Sequence, residues 1–286
     1  MSQQPQIAAP HRLVMLHGLS STPKEFGMIV HPLRRLGVGL VTPEVKLYSY
    51  GSLAGTPRWQ DWVDSAAECI QTLMGPSPEP YVLGGLCTGA MLALAVAAAR
   101  PLPGLRGLAL LSPLFSYDGW ALPWWYRGRH LAYLLHLDRH FVMRERPPYG
   151  LKNERVRQMV RHQLESEQAS LVGPAQVSLQ VVRESERLSR HVISVLPQQT
   201  LPMLALHARE DEICSLGSVQ AVLGRVPQTQ LRLTVLEDSY HMITADNDRQ
   251  RVASELAGFM ARTLDADAFR NKDAAGSGKI SPIRST

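Results

Sequence analysis

The stretch Tyr81-Val82-Leu83-Gly84-Gly85-Leu86-Cys87-Thr88-Gly89-Ala90-Met91-Leu92-Ala93-Leu94 limits what this chain can fold into. Tyr81 to Leu83 is a short apolar run of the kind that forms a buried strand, and Ala90 to Ala99 is a long Ala-rich run that reads as a helix. Between them stands Gly85-x-Cys87-x-Gly89. A strand that turns at once into a helix crowds its own backbone, so the flanking positions cannot carry side chains. The residue at the apex is then held in a strained conformation with its side chain exposed. The following helix aims its N-terminal amides and positive dipole end at that side chain, which favours a thiolate and, later, an oxyanion.

This arrangement has the form of a nucleophile elbow with cysteine in place of serine. Alone it is weak, because Gly-x-x-x-Gly also serves tight strand-to-helix packing, and a cysteine there can be an inert buried residue. An elbow needs an acid and then a histidine later in the chain, each at the end of a strand. His207-Ala208-Arg209-Glu210-Asp211-Glu212 follows the strand expected at 203–207, and Asp211 is the chosen acid; Glu210 and Glu212 read as solvated loop residues. Asp238-Ser239-Tyr240-His241-Met242 follows the last strand, at 231–236, and His241 is the expected general base. One oxyanion donor would be the backbone amide of Thr88. The other would come from the loop after the first strand, at Leu19, while His17 reads as a structural hydrogen-bonding residue.

The remaining rhythm is short apolar strands alternating with amphipathic helices, which predicts an α/β fold with a mostly parallel sheet flanked by helices. The core spans 12–115 and 201–263. Residues 116–200 break the rhythm, show helical patterns without a clear strand, and read as an inserted helical cap. Residues 1–11 read as a flexible N-terminus and 264–286 as a disordered tail.

Several independent motifs fall in the order that a known superfamily requires. Leu16-His17-Gly18-Leu19-Ser20-Ser21-Thr22-Pro23, Trp59-x-x-Trp62, Gly85-Leu86-Cys87-Thr88-Gly89, Ala208-Arg209-x-Asp211-Glu212 and Ser239-x-His241-x-Ile243-Thr244-x-Asp246 resemble the α/β-hydrolases. Within them they resemble the bacterial carboxylesterase and monoacylglycerol lipase subgroup, which is serine aminopeptidase S33-like. The resemblance covers roughly 12–115 and 201–263 and not the cap. It implies an α/β-hydrolase fold and a catalytic triad of Cys87, Asp211 and His241, with no cofactor or metal. The chain departs from that pattern at Cys87, where the subgroup has serine, and at Ala90, where it usually has a second glycine. Cysteine at this elbow resembles dienelactone hydrolases, polyhydroxyalkanoate synthases and some thioesterase-like enzymes.

Three functions stay open on the sequence: an acyl hydrolase or acyltransferase working through a Cys87 acyl-enzyme on an ester or thioester, a plain carboxylesterase, and a non-catalytic binding protein of the same fold. A thiolate exchanges thioesters readily, and whether water or another acceptor takes the acyl group separates hydrolysis from transfer.

The cap concentrates apolar area, with Trp120, Leu122, Trp124, Trp125, Leu131, Tyr133, Leu134, Leu135 and Leu137 in one short stretch. It can pack on the core, roof an acyl pocket, or lie at a membrane interface. From Arg127 to Arg161 it also carries nine basic residues, Arg127, Arg129, Arg139, Arg144, Arg146, Lys152, Arg155, Arg157 and Arg161, against three acidic ones. That local excess is larger than the net charge of +5 and suits an acyl carrier protein or coenzyme A. No nucleic-acid motif is present. The three scattered cysteines make neither a disulfide framework nor a metal cluster, so a reducing, cytoplasmic location is expected. No run is long and apolar enough for an integral membrane segment.

Overall fold

The computed structural model describes residues 11–52, 57–76, 78–166, 169–227 and 229–276, with backbone only at 11, 169 and 265–276. The flexible segment expected at 1–11 lies almost wholly outside this set, as does 277–286 of the expected tail.

Six strands form one parallel sheet: β1 (His11–Leu16), β2 (Val38–Val41), β3 (Tyr81–Leu86), β4 (Leu105–Leu111), β9 (Met203–Ala208) and β10 (Leu231–Leu236), in the order β10-β9-β4-β3-β1-β2. β3 and β9 are buried along their full length, as expected of continuous apolar strands covered on both faces. The chain reverses direction across the sheet at β3, which pairs with β1 on one side and β4 on the other. The crevice outside the carboxyl ends of strands at such a switch point is where open α/β sheets place their ligands.

Helices α2 (Trp59–Met74), α3 (Thr88–Ala99) and α7 (Leu216–Leu223) cover one face of the sheet. Helices α1 (Gly27–Arg35) and α8 (Arg249–Gly276) cover the other. Every residue of α3 from Thr88 to Val96 is buried, because α6 (Leu179–Val195) lies across its outer side. A helix apolar all round is stable only when enclosed in this way. Thr22 caps the turn at Pro23–Phe26 that leads into α1, with its hydroxyl accepting the Lys24 amide, and Ser215 caps α7. The backbone of α8 continues past 263, where the sequence suggested a tail begins, to Gly276.

The cap holds α4 (Arg129–Leu134), α5 (Glu154–Ser166) and α6, but it is not purely helical as expected. β5 (Val142–Arg144) pairs antiparallel with β8 (Gln176–Ser178), and β6 (Ala169–Ser170) with β7 (Gly173–Pro174). Strands of two or three residues are too short for a period-two pattern to register in sequence.

Candidate active site

The elbow forms as its glycines demand. Cys87 leaves β3 with φ 58° and ψ −124°, a left-handed conformation that a side-chain-bearing residue adopts only under constraint. The constraint is visible on both sides. The Cys87 amide donates to Leu111 O at 2.9 Å, extending the sheet ladder, and the Ala90 amide donates to Cys87 O at 3.1 Å, starting α3. A methyl group on Gly85 would run into the Gly89 backbone, and one on Gly89 into the carbonyls of Leu16 and His17. The half-buried Cys87 thiol therefore stands at the N-terminus of α3, at the carboxyl end of the central strand.

The acid and base converge on it from the two loops predicted to carry them. His241 is buried, and its Nδ1 lies 2.8 Å from Asp211 Oδ2. Asp211 Oδ1 accepts the amides of Ile213 and Cys214, each at 2.9 Å. Burial alone would raise the Asp211 carboxyl, but His241 and these donors bring it below the ordinary carboxylate value. Burial likewise opposes a charged imidazole, yet the charges of Asp211 and Cys87 raise His241 well above 6.5. With Nδ1 held by Asp211, the buried Nε2 has no hydrogen-bond partner among the described residues other than Cys87.

Three further residues hold His241 that the sequence did not nominate for this purpose. Ser112, which follows β4 with φ 41°, donates its hydroxyl to His241 O at 2.7 Å. Glu212 is buried rather than solvated, contrary to expectation, and its Oε2 accepts the His241 amide at 3.0 Å. A carboxylate one residue after Asp211 is within reach of the His241 amide, and this donor outweighs its tendency to seek water. Asp246, which belongs to the recognised His241-x-Ile243-Thr244-x-Asp246 run, accepts the amides of Tyr240 (2.8 Å), Lys152 (2.7 Å) and Asn153 (2.8 Å). The Met242 amide donates to Gly150 O at 2.8 Å. The histidine loop is thus bonded on one side to the sheet and on the other to the cap.

Cys87 and His241 open into a cavity of about 440 Å³ roofed by the cap. Its apolar lining includes Leu19, Leu114, Tyr117, Leu122 and Val182, with Trp125 and Val142. Three carboxyls also line it, Glu25, Glu145 and Glu212, and Arg144 and Arg146 flank Glu145 in the chain. Burial pushes Glu25 and Glu212 up to about 7. Enclosure and the nearby Glu212 raise Glu145 as well, although its side chain is accessible and water moderates the effect. Among the described residues none of the three forms an ion pair with a lysine or arginine, which accounts for the shared direction. Such carboxyls give no periodic or motif signal in sequence.

Leu19 lines the cavity beside Cys87, and the Thr88 amide opens α3 immediately after it. The loop between them and β1 is rigid. His17 Nε2 lies 2.7 Å from Ser49 Oγ, Tyr48 Oη donates to His17 O at 2.9 Å, and the Gly18 amide donates to Glu25 Oε2 at 2.7 Å. Burial lowers His17 to about 4, so it is neutral and structural, as expected. Glu210 pairs with Lys152 at 3.1 Å on the surface. Of the other cysteines, Cys214 is buried and its thiol is pushed up to about 11, while Cys69 Sγ contacts Glu44 O. Among the described residues no group of side chains could hold a metal ion, and no helix is long and apolar enough to cross a membrane.

Solved structures match this architecture over most of the chain. The monoacylglycerol lipase of Paleococcus ferrophilus is similar at 14% identity and TM-score 0.69, covering 89% of this chain and 95% of that one. A soluble variant of monoglyceride lipase from Saccharomyces cerevisiae, solved with a substrate analogue, is similar at 12% identity and TM-score 0.70, with 91% and 89% covered. A metagenome-derived lipolytic enzyme gives 17% identity and TM-score 0.69, with 88% and 93% covered. No curated protein sequence matches the chain. The fold is that of the α/β-hydrolases, and a family model described as Serine aminopeptidase, S33 (Hydrolase_4) matches residues 9–248, so the chain belongs to that hydrolase family.

Proposed function

We propose that the protein hydrolyses carboxylic esters through a covalent acyl-enzyme on Cys87, with His241 as general base and Asp211 as the group that orients and charges it. The observation that carries this reading is His241: Nδ1 is fixed on Asp211, and the buried Nε2 has only the Cys87 thiol to act on. The lipases and esterases among the similar folds, and the apolar wall of the cavity, support an acyl ester as substrate.

In the first half-reaction His241 Nε2 takes the thiol proton as sulfur bonds to the acyl carbon. The tetrahedral oxyanion is met by the backbone amides of Leu19 and Thr88, a pair of donors commonly worth about 3 kcal/mol each. The C–O bond then breaks, and the imidazolium returns its proton to the departing alkoxide. In the second half-reaction water gives its proton to His241 and attacks the thioester; the carboxylic acid leaves and the thiol is restored.

A thioester donor is the second reading, favoured by Arg144 and Arg146 beside the cavity, where the phosphates of coenzyme A or of a carrier-borne arm would pass. The basic stretch offers less to a carrier protein than its nine residues suggest. Arg129 pairs with Glu186, Lys152 with Glu210, Arg161 with Glu165, and Arg157 binds the carbonyls of Leu151 and Lys152.

The deciding experiment is intact-mass detection of an acyl adduct with a panel of esters and thioesters. An adduct on the native chain that is absent from Cys87→Ala and kept in Cys69→Ala is expected. An adduct surviving in Cys87→Ala would overturn the assignment, and failure of every donor to label the native chain would favour a binding protein.

A further inference from the structure

The cap segment 124–142 is apolar on two opposite sides. Tyr126 and Tyr133, seven residues apart, are buried with Leu179 and Val182 of α6. Trp124, Leu131, Leu134 and Leu135 recur at the helical spacing of the other side and face outward, with Trp124 85%, Leu131 61% and Leu134 74% exposed. Leu137, Phe141 and Val142 continue the exposed run. A short surface helix normally presents polar residues outward, and contiguous apolar patches of this kind mark a site of contact.

The charges around the patch are mostly positive. Arg127, Arg139, Arg144 and Arg146 are exposed and stand within or beside it, and none of them pairs with a carboxylate among the described residues. Of the acids in the same stretch, Asp138 is buried against Arg183 at 3.1 Å, and Glu145 is accessible and lines the cavity between Arg144 and Arg146. Glu186, from the helix beneath, is occupied by Arg129 and Tyr126. Trp125 and Val142 are at once exposed members of this run and lining residues of the cavity, so the outer patch is continuous with the route to Cys87.

We propose that this face docks on an anionic phospholipid surface, the apolar side chains entering the headgroup–acyl boundary and the four arginines meeting lipid phosphates. Docked this way, the cavity opens toward the lipid, and an acyl substrate passes from the bilayer along Trp125 and Val142 without crossing water. The consequence for substrate rests on the hydrolase reading, but docking does not, because it needs no turnover. Burial of the apolar side chains and attraction of the arginines to the anionic surface are the two contributions. An acidic protein would use the arginines but leave Trp124, Leu131 and Leu134 without a purpose, which favours lipid.

The test is co-sedimentation of the full chain with vesicles of phosphatidylglycerol and phosphatidylcholine, alongside vesicles of phosphatidylcholine alone, with tryptophan quenching by brominated lipid as a second readout. Binding to the anionic vesicles is expected, weakening with salt, unchanged in Cys87→Ala, and reduced about tenfold or more in Trp124→Ser/Leu131→Ser/Leu134→Ser and in Arg127→Glu/Arg139→Glu. Both variants change side chains that point to solvent, should keep the native melting temperature, and should hydrolyse a short soluble ester at the native rate. Three results would overturn the proposal: equal binding to neutral vesicles, native binding by the triple variant, or a native chain that ignores vesicles and instead dimerises through this face or binds an acidic carrier protein. Loss of ester hydrolysis in Cys87→Ala with vesicle binding intact would separate the two readings.

Discussion

Glu25 offers a quantitative test of the site's electrostatics. Its carboxyl is buried beside the loop that passes Cys87, and Oε2 accepts the Gly18 amide at 2.7 Å. Burial pushes it from 4.5 to about 7. A carboxyl whose folded value lies above its unfolded value favours the native state fully only below the unfolded value; stability is lost as pH rises through the folded value. The full loss is roughly 3 kcal/mol, at 1.36 kcal/mol per pH unit of displacement, and about 2 kcal/mol of it falls between pH 5.5 and 8.5. Glu25→Gln keeps an oxygen for the Gly18 amide and removes the ionisation. Urea unfolding at pH 5.5, 7 and 8.5 should therefore show the variant gaining on the native chain as pH rises, by about 2 kcal/mol over that window. The native chain should lose more in absolute terms, because Glu212 is displaced in the same direction. A stability difference between the two chains that does not change with pH would refute the reasoning, since it would mean that Glu25 stays ionised or stays neutral throughout.

His241→Ala should cost on the order of 10⁴-fold or more in kcat/KM and Asp211→Asn somewhat less, with Asp238→Asn near native, as measured by steady-state ester hydrolysis; the opposite ranking of the two aspartates would move the acid to the other loop. Ser112→Ala leaves the His241 carbonyl without its donor, at a cost of about 1–3 kcal/mol, and should lower kcat with little change in KM. Gly89→Ala, whose methyl would overlap the Leu16 and His17 carbonyls, should yield little soluble folded protein, read by expression and circular dichroism. Cys87→Ser should shift preference from thioesters toward oxygen esters, because its acyl-enzyme is an oxygen ester and passes its acyl group less readily to a thiol; an unchanged ratio of the two kcat/KM values would contradict this.

The sheet and the elbow were legible in sequence because each depends on local chemistry. Apolar runs such as 203–207 name their strands, and Gly85-x-Cys87-x-Gly89 can be accommodated in few other conformations. Asp211 and His241 were legible through their order after identifiable strands. Ser112, Glu145 and the burial of Glu212 were not, because their roles come from loops meeting across more than twenty residues of separation, and neither propensity nor period reports such meetings. The cap's short strands failed to register for the related reason that pairing, not composition, defines them. Its basic residues could be counted, but the partners that occupy Arg129, Lys152 and Arg161 appear only in three dimensions.

The bonds from Gly150, Lys152 and Asn153 to the histidine loop limit how this enzyme can open. A cap that swung away as a unit would pull on Asp246 and Met242 and displace His241 with every excursion. Admission of substrate is therefore expected to be local, with the 124–142 segment shifting while 150–153 stays anchored. If His241 is the base proposed above, a truncated chain lacking the cap is expected to lose more than its selectivity, because the loop that holds His241 would lose its anchors. On the proposed mechanism the insertion is a splint for catalysis, and grafting in a foreign cap is expected to succeed only if the donor supplies the same three bonds.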